Sequence, residues 1–162
     1  MEAISLWLHG TPAGEFLLTM LISMVPVAEL RVGVPAGVAM GLPIHTALLA
    51  AVLGNMIPVP LIILFVRKIF KWIRIHIPRL GNFVTRLEQR AYEKRGAVER
   101  YAAWGLLLLV AIPLPGTGAW TGSLVAALMD MRLKRAMPVI FLGVVIAGLI
   151  MTALTYGVAA IL

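Results

Sequence analysis

The uncharged run from Tyr101 to Met129 most limits the folds open to this chain, because it lies between two clusters of basic residues. Ten of the 14 Lys and Arg residues lie at positions 67–100, directly before the run, and three follow it. The preceding residues are Arg67, Lys68, Lys71, Arg74, Arg79, Arg86, Arg90, Lys94, Arg95 and Arg100, and the following ones are Arg132, Lys134 and Arg135. Short loops rich in Lys and Arg stay in the cytoplasm. We therefore expect both clusters on the cytoplasmic side of a membrane.

The composition supports a membrane location. The chain has 162 residues, of which 61% are hydrophobic and 13% are charged, whereas soluble domains are about half apolar and a quarter charged. We predict an all-α integral membrane protein, with residues 1–162 forming a single membrane domain. Cysteine is absent, which excludes disulfides and thiol chemistry. Because the charges are clustered, the net charge of +7 indicates topology and not a nucleic-acid partner.

The run between the clusters predicts a re-entrant helical hairpin. A full crossing needs about 20 apolar residues, and the centre of this run carries Pro113, Pro115, Gly116 and Gly118. Each flank supplies only about a dozen helical residues, roughly half a bilayer at 1.5 Å per residue. We expect residues 102–112 to enter, 113–118 to form the tip and 119–129 to return. The alternative is one long, kinked and tilted span.

The first half of the chain repeats this pattern. Residues 15–25 predict a half-helix, residues 26–31 a break, and a second half-helix follows to about Gly41. Residues 43–66 are then long enough to cross the membrane fully. In the second half, residues 136–162 predict the matching full crossing.

A weak internal repeat accompanies the pattern. An offset of 89 places residues 26–55 over 115–144 with six identities, including Gly33 on Gly122 and Gly54 on Gly143. Inverted repeats with broken helices are typical of transporters, whose sites lie at the midplane between the repeats. We predict two inverted repeats, each a re-entrant hairpin plus a full transmembrane helix. They comprise residues 11–66 and 101–162, joined by a cytoplasmic connector at 67–100.

The connector itself is basic and amphipathic. Residues 68–77 mix Lys and Arg with Ile, Phe and Trp, which predicts a segment lying along the lipid surface. Residues 80–101 carry apolar side chains at helical spacing and predict an amphipathic helix. The charges form either a solvated, lipid-facing surface or a specific site for anionic lipids.

Glu29 and Arg31 are the only charged residues between Glu15 and Arg67. An ionisable residue at membrane depth is costly and is a functional candidate by default. Glu29 is the candidate proton-titrating group, because desolvation disfavours a charged carboxylate. The planar guanidinium of Arg31 suits phosphate. Alternatively, the two residues fasten the hairpin tip together, or the tip lies shallow enough to be hydrated.

The second tip adds further candidates. Half-helices beginning near Val32 and Ala119 would point their N-termini at the midplane, where free N–H groups favour an anion. The threonines can instead satisfy freed backbone carbonyls, and Asn55 can simply join helices. The candidate substrate and proton pathway comprises Glu29, Arg31, Asn55, Pro115, Gly116, Thr117, Gly118, Trp120 and Thr121.

No enzyme pattern is present in the sequence. The chain lacks a GxSxG, HExxH, P-loop or dinucleotide motif, each of which marks a known chemistry. Its three histidines are scattered, without metal-ligand spacing. We therefore expect no enzyme activity, no cofactor and no metal.

The motifs ELRVGVP, GNMIPVP and PLPGTGAWTG resemble those of the small multi-drug export protein family, over almost the whole chain. The layout is also similar to that of the DedA superfamily, whose members combine re-entrant hairpins with full crossings. That resemblance implies proton-coupled transport or scrambling of lipids, including polyprenyl-phosphate carriers, with Glu29 matching the acidic residue of the first tip. DedA proteins carry arginines near the second hairpin, whereas PGTGAWTG has none.

These observations favour a transporter: a proton-coupled carrier or flippase for an amphipathic, phosphate-bearing substrate. An exporter of small lipophilic cations and a non-transporting membrane interaction protein stay open as alternatives. The expected partners are membrane lipids, a small amphipathic substrate, protons as coupling ion and a second copy of the chain in a homodimer. The expected location is the inner (cytoplasmic) membrane, with several crossings and the connector facing the cytoplasm.

Overall fold

The computed structural model describes residues 11–76, 95–114 and 116–159, and these form α-helices joined by short turns. The helices are α1 (Pro12–Met24), α2 (Glu29–Ala39), α3 (Ile44–Met56), α4 (Pro58–His76), α5 (Arg95–Ala111), α6 (Ala119–Leu128) and α7 (Leu133–Ala159). No strand occurs within these ranges. The predicted all-α fold class is therefore confirmed.

Two helical segments are long and apolar enough to cross a membrane. Ile44–Ile69 joins α3 to most of α4 over 26 residues, and Leu133–Gly157 covers most of α7 over 25 residues. At 1.5 Å per residue, each exceeds the hydrocarbon thickness of about 30 Å. Both segments agree with the predicted crossings at 43–66 and 136–162. The prediction of a membrane protein with helical crossings is thereby supported.

Helices α1 and α2 pack antiparallel through the glycines of α2. Gly33 lies against Ser23, and Gly37 lies against Thr19. From Gly33 to Gly37 the contact moves four residues forward along α2, and from Ser23 to Thr19 it moves four residues backward along α1. A side chain on Gly33 would collide with the Ser23 hydroxyl. The small residues of α2 therefore allow the close approach of the two helices.

The backbone repeats its local geometry at the predicted offset of 89. The turns after α2 and α6 each form three equivalent hydrogen bonds, and the helices that follow start at Ile44 and Leu133. The bonds run from Met40, Gly41 and Leu42 N–H to the carbonyls of Ala36, Val38 and Gly37, and from Met129, Asp130 and Met131 N–H to those of Val125, Ala127 and Ala126. Both turns have the backbone bonding of a Schellman motif.

Four of the five described residues with positive φ form two pairs at the same offset, and Gly116, whose equivalent is Val27, is the exception. Gly41 and Asp130, which follow α2 and α6, have φ of 109° and 50°. Glu29 and Gly118, at the starts of α2 and α6, have φ of 47° and 111°. A strained φ recurs 89 residues later even where the side chain differs. The repeat is thus clearer in the backbone than in the sequence.

Equivalent glycines also join each spanning helix to its neighbour. Gly54 of α3 lies against the backbone carbonyl of Met20 in α1. Gly143 of α7 lies near the side chain of Val110 and the backbone oxygen of Leu107, both in α5. These two glycines are 89 residues apart, so α3 packs on α1 as α7 packs on α5.

The first residue of one basic cluster, Arg67, lies beside the turn that precedes the other cluster. The Arg67 guanidinium at the end of the first span lies 3.6 Å from the Asp130 carboxylate and donates to the backbone oxygen of Met131. Ile44, where that span begins, is 23 residues away, or about 34 Å of helix. The turn between α2 and α3 therefore lies at the opposite end.

The predicted end of the first break was wrong. Glu29 and Arg31 lie in the first turn of α2 and not in the break, which is confined to residues 25–28. The helix begins three residues earlier than the predicted start near Val32. Both side chains form hydrogen bonds with the second half of the chain.

The connector is only partly covered. Helix α4 continues to His76, so most of the predicted surface segment 68–77 extends the first span as helix. Of the predicted amphipathic helix 80–101, residues up to 94 lie outside the described part of the chain. The proposed division into two repeats and a connector stays a prediction.

Candidate substrate and proton site

The N-termini of α2 and α6 meet at what we call the junction, formed by Glu29, Arg31, Thr117, Gly118 and Trp120. The Glu29 carboxylate accepts a hydrogen bond of 3.1 Å from the backbone N–H of Trp120. Trp120 is in the first turn of α6, where backbone N–H groups have no partner inside the helix. A carboxylate is stabilised there by the helix dipole. The first half of the chain therefore caps a helix of the second half.

Arg31 also joins the two halves. Its Nη2 donates to the backbone oxygen of Thr117 at 2.7 Å and to the Thr117 hydroxyl at 2.8 Å. The same nitrogen lies 3.7 Å from the Glu29 carboxylate. Both residues are shielded from solvent, with side chains 2% exposed for Glu29 and 16% for Arg31. Glu29 and Arg31 therefore contact each other and also bond the second tip.

Trp120 makes a third contact across the junction. Its indole Nε1 donates to the backbone oxygen of Met24 at 3.1 Å. Met24 is the last residue of α1, and the last carbonyls of a helix have no partner inside it. One residue of α6 therefore meets both the start of α2 and the end of α1.

Thr117 and Thr121 stabilise the backbone of the second break, which we define as residues 112–118. The Thr117 hydroxyl lies 2.7 Å from the Ile112 oxygen and 2.8 Å from the Leu114 oxygen, and it accepts from the Leu114 N–H at 3.2 Å. Thr121 donates from its hydroxyl to the Gly116 oxygen at 3.0 Å. These bonds match the structural role considered for the threonines, and Thr117 adds the contact to Arg31.

Two glycines of this break have left-handed backbone, in different surroundings. A Cβ atom on Gly118 would collide with the Glu29 carboxylate, whereas one on Gly116 would meet no atom within 4 Å. Glycine at Gly118 is therefore required both by its φ of 111° and by the close approach of Glu29. At Gly116, glycine is required only by the left-handed backbone conformation.

The other predicted site residues lie apart from these contacts. Asn55 is fully buried in α3, and no described residue bonds its amide. Pro115 lies outside the described residues. Within the described ranges, no group of three His, Cys, Asp or Glu side chains is placed to hold a metal ion. The acceptor role of Met24 was missed, because a backbone carbonyl carries no sequence pattern.

The fold and the junction define a helical membrane protein in which two broken-helix segments meet end to end. Residues 29–150, about three quarters of the chain, match the family described as "Putative small multi-drug export protein". The chain belongs to this family. The matched region begins at Glu29 and contains every candidate site residue. No curated protein and no solved structure matches the chain.

Proposed function

We propose that this protein is a proton-coupled carrier or flippase for an amphipathic, anionic substrate that bears a phosphate on a lipid-like tail. The observation that carries the proposal is the Glu29 carboxylate on the N-terminus of α6, 3.1 Å from the Trp120 N–H. A helix N-terminus is a ready anion site, and here an anion of the protein itself occupies it. The Arg31 guanidinium beside it adds a planar donor suited to phosphate.

The proposed topology is a pair of inverted repeats with re-entrant hairpins. Helices α2 and α6 contain 11 and 10 residues and together span about 31 Å at 1.5 Å per residue. That sum equals the hydrocarbon thickness of a bilayer. Because their N-termini meet, we place the junction near the midplane. The broken backbone is then enclosed by protein or lines a cavity, as membrane depth requires. This is the layout of the DedA superfamily.

The coupling follows from the charges at the junction. With Glu29 ionised, its carboxylate balances Arg31 and occupies the Trp120 N–H. Protonation of Glu29 removes that negative charge and leaves Arg31 and the N-terminus of α6 with excess positive charge. An external phosphate can then take the place of the carboxylate. Proton and anion therefore bind together, and release of the proton displaces the anion.

Multi-drug export, which is what the family description states, is the second candidate, and its substrates would be small lipophilic cations. The buried carboxylate of Glu29, which is 2% exposed, is the observation that favours it. Against it, the guanidinium of Arg31 lies 3.7 Å from that carboxylate, and the dipoles of two helix N-termini repel cations. The geometry thus favours the anion.

The proposed setting is the inner membrane, with the basic end of the molecule in the cytoplasm, as the positive-inside rule expects.

We also propose a homodimer. Val27 of the first break is 89% exposed and Val25 is 49% exposed. Non-helical backbone at membrane depth must not face lipid, and apolar side chains do not suit a water-filled cavity. A second copy of the chain would cover this break.

Single-cysteine variants test the re-entrant topology, and the natural chain has no cysteine to interfere. Tyr101 precedes the segment that is expected to enter the membrane, and Lys134 follows α6. Both Tyr101→Cys and Lys134→Cys should therefore react with a membrane-impermeant maleimide from the cytoplasmic side. His45→Cys should react from the opposite side. Tyr101 is 74% exposed, so it is open to the reagent. Labelling of Tyr101→Cys and Lys134→Cys from opposite sides would instead establish a single kinked span.

Ligand-dependent thermal stabilisation in detergent tests the substrate class. A polyprenyl phosphate at 100 times its Kd should add about 2.7 kcal/mol to the free energy of unfolding. Arg31→Ala should lose this stabilisation, and Arg31→Lys should retain part of it because the charge stays without the planar fork. A panel of lipophilic cations should give no stabilisation. Stabilisation by cations that is lost in Glu29→Gln would establish the export function, and no stabilisation by either class would indicate a non-transporting protein.

A further inference from the structure

Asn55 is a fully buried polar side chain that the junction does not use. Its exposed fraction is 0%, and neither Nδ2 nor Oδ1 has a hydrogen-bond partner among the described residues. Buried amides are almost always hydrogen-bonded, to protein or to an ordered water molecule. A buried water typically satisfies such groups. Asn55 therefore needs a partner that both donates and accepts.

The register of α3 against α2 places Asn55 at the level of the junction. A Cβ on Gly37 of α2 would lie 2.9 Å from the Cβ of Ala47 in α3, and a short turn makes these helices antiparallel. Eight residues back from Gly37 is Glu29, and eight residues forward from Ala47 is Asn55. Both steps are about 12 Å along a helix axis. The amide and the carboxylate therefore lie at the same depth.

The helix around Asn55 supplies further polar groups. The first span is interrupted at Ile57, between α3 and α4, and Pro58 and Pro60 follow. Since proline has no N–H, it removes the helical donor for the carbonyl four residues earlier. The carbonyls of Gly54 and Met56 lose their usual donors in this way. Acceptors thus collect on both sides of Asn55.

The second half of the chain shows that packing alone does not require this arrangement. The position equivalent to Asn55 is Val144, 89 residues later, which is also fully buried at 0% exposure. Helix α7 continues through that position without interruption. An apolar side chain and an unbroken helix therefore suffice for the same packing position.

We propose that Asn55 and Glu29 hold an ordered water molecule between them, in a polar chamber completed by the freed carbonyls beside Pro58. This water is the inner end of the path by which protons reach Glu29. The charged side chain in contact with Glu29 is Arg31. The helices packed on α2 carry Glu15, His45, Lys134, Arg135 and Tyr156 near ends that are remote from the junction, and α6 carries no ionisable residue. The water therefore provides the proton contact that these side chains are too distant to make.

Infrared difference spectroscopy tests this inference on the purified, full-length protein without any substrate. Spectra at low minus high pH are recorded in H₂¹⁶O and H₂¹⁸O. The wild type should show an isotope-sensitive O–H band from an internal water, and Asn55→Val should lose that band. Asn55→Val should also keep or raise the melting temperature, because Val144 shows that the fold accepts valine. Asn55→Thr retains a hydroxyl and should keep the band.

Thr152→Val is the matched control, since the hydroxyl of Thr152 is also buried without a partner among the described residues but belongs to α7. It should keep the water band. An unchanged band in Asn55→Val would overturn the inference, whether or not the melting temperature falls. The inference deepens the proposed function but is measured without a transported substrate. A lost band together with no phosphate binding would therefore support the water and refute the carrier.

Discussion

Gly118→Ala is expected to lower the free energy of unfolding by roughly 3–5 kcal/mol, from backbone strain and the loss of a charge-assisted hydrogen bond. Gly118 has φ 111° and ψ −167°, a region that is essentially restricted to glycine. Its added methyl group would also collide with the Glu29 carboxylate and displace it from the Trp120 N–H. Urea or thermal unfolding in detergent measures the change.

Gly116→Ala separates the two causes. Gly116 also has a left-handed φ, 83°, but a methyl group there meets no atom within 4 Å. It should cost only the backbone strain, about 1–2 kcal/mol. Equal losses in the two variants would show that the Glu29 contact contributes nothing, and the junction would then lack the helix cap on which the proposed site depends.

Glu29→Gln is expected to raise the affinity for a polyprenyl phosphate at neutral pH by about tenfold, which corresponds to about 1.4 kcal/mol. The glutamine resembles the protonated glutamate, so Arg31 and the N-terminus of α6 no longer have a competing carboxylate. In the wild type the affinity should rise as the pH falls, because protonation of Glu29 has the same effect. In Glu29→Gln this dependence should disappear. Titration of the thermal stabilisation at several pH values measures both effects.

Glu29→Asp is the control for this prediction. Aspartate keeps a titrating carboxylate, so the affinity should still rise as the pH falls. A weaker affinity in Glu29→Gln than in the wild type would contradict the displacement of a protein anion by a substrate anion. It would favour a direct role for the carboxylate, as cation export requires.

Features that depend on local sequence could be predicted. The lengths of the apolar runs indicated two crossings, because a fixed bilayer thickness demands about 20 residues. The prolines and glycines at 113–118 marked the second break, since they cannot continue a helix without cost. Glu29 and Arg31 were chosen because charges at membrane depth need a reason.

Features that depend on contacts between distant parts of the chain could not be predicted. The bond between Glu29 and Trp120 joins residues 91 positions apart, and no local pattern reveals which N–H a buried carboxylate will meet. The interruption at Ile57 could have been predicted from Pro58 and Pro60 in the sequence. It was not, because the continuous apolar run indicated a single crossing helix. The repeat was faint because backbone turns tolerate different side chains, as Gly41 and Asp130 show.

The most direct test of the account is proton uptake on ligand binding. Purified protein in weakly buffered detergent is mixed with a polyprenyl phosphate while a pH indicator is followed. We expect the wild type to take up protons as it binds, since binding and protonation are linked reciprocally, and Glu29→Gln to bind without uptake. Phosphate binding by the wild type with no proton uptake would contradict the proposal that Glu29 and the substrate compete for one site.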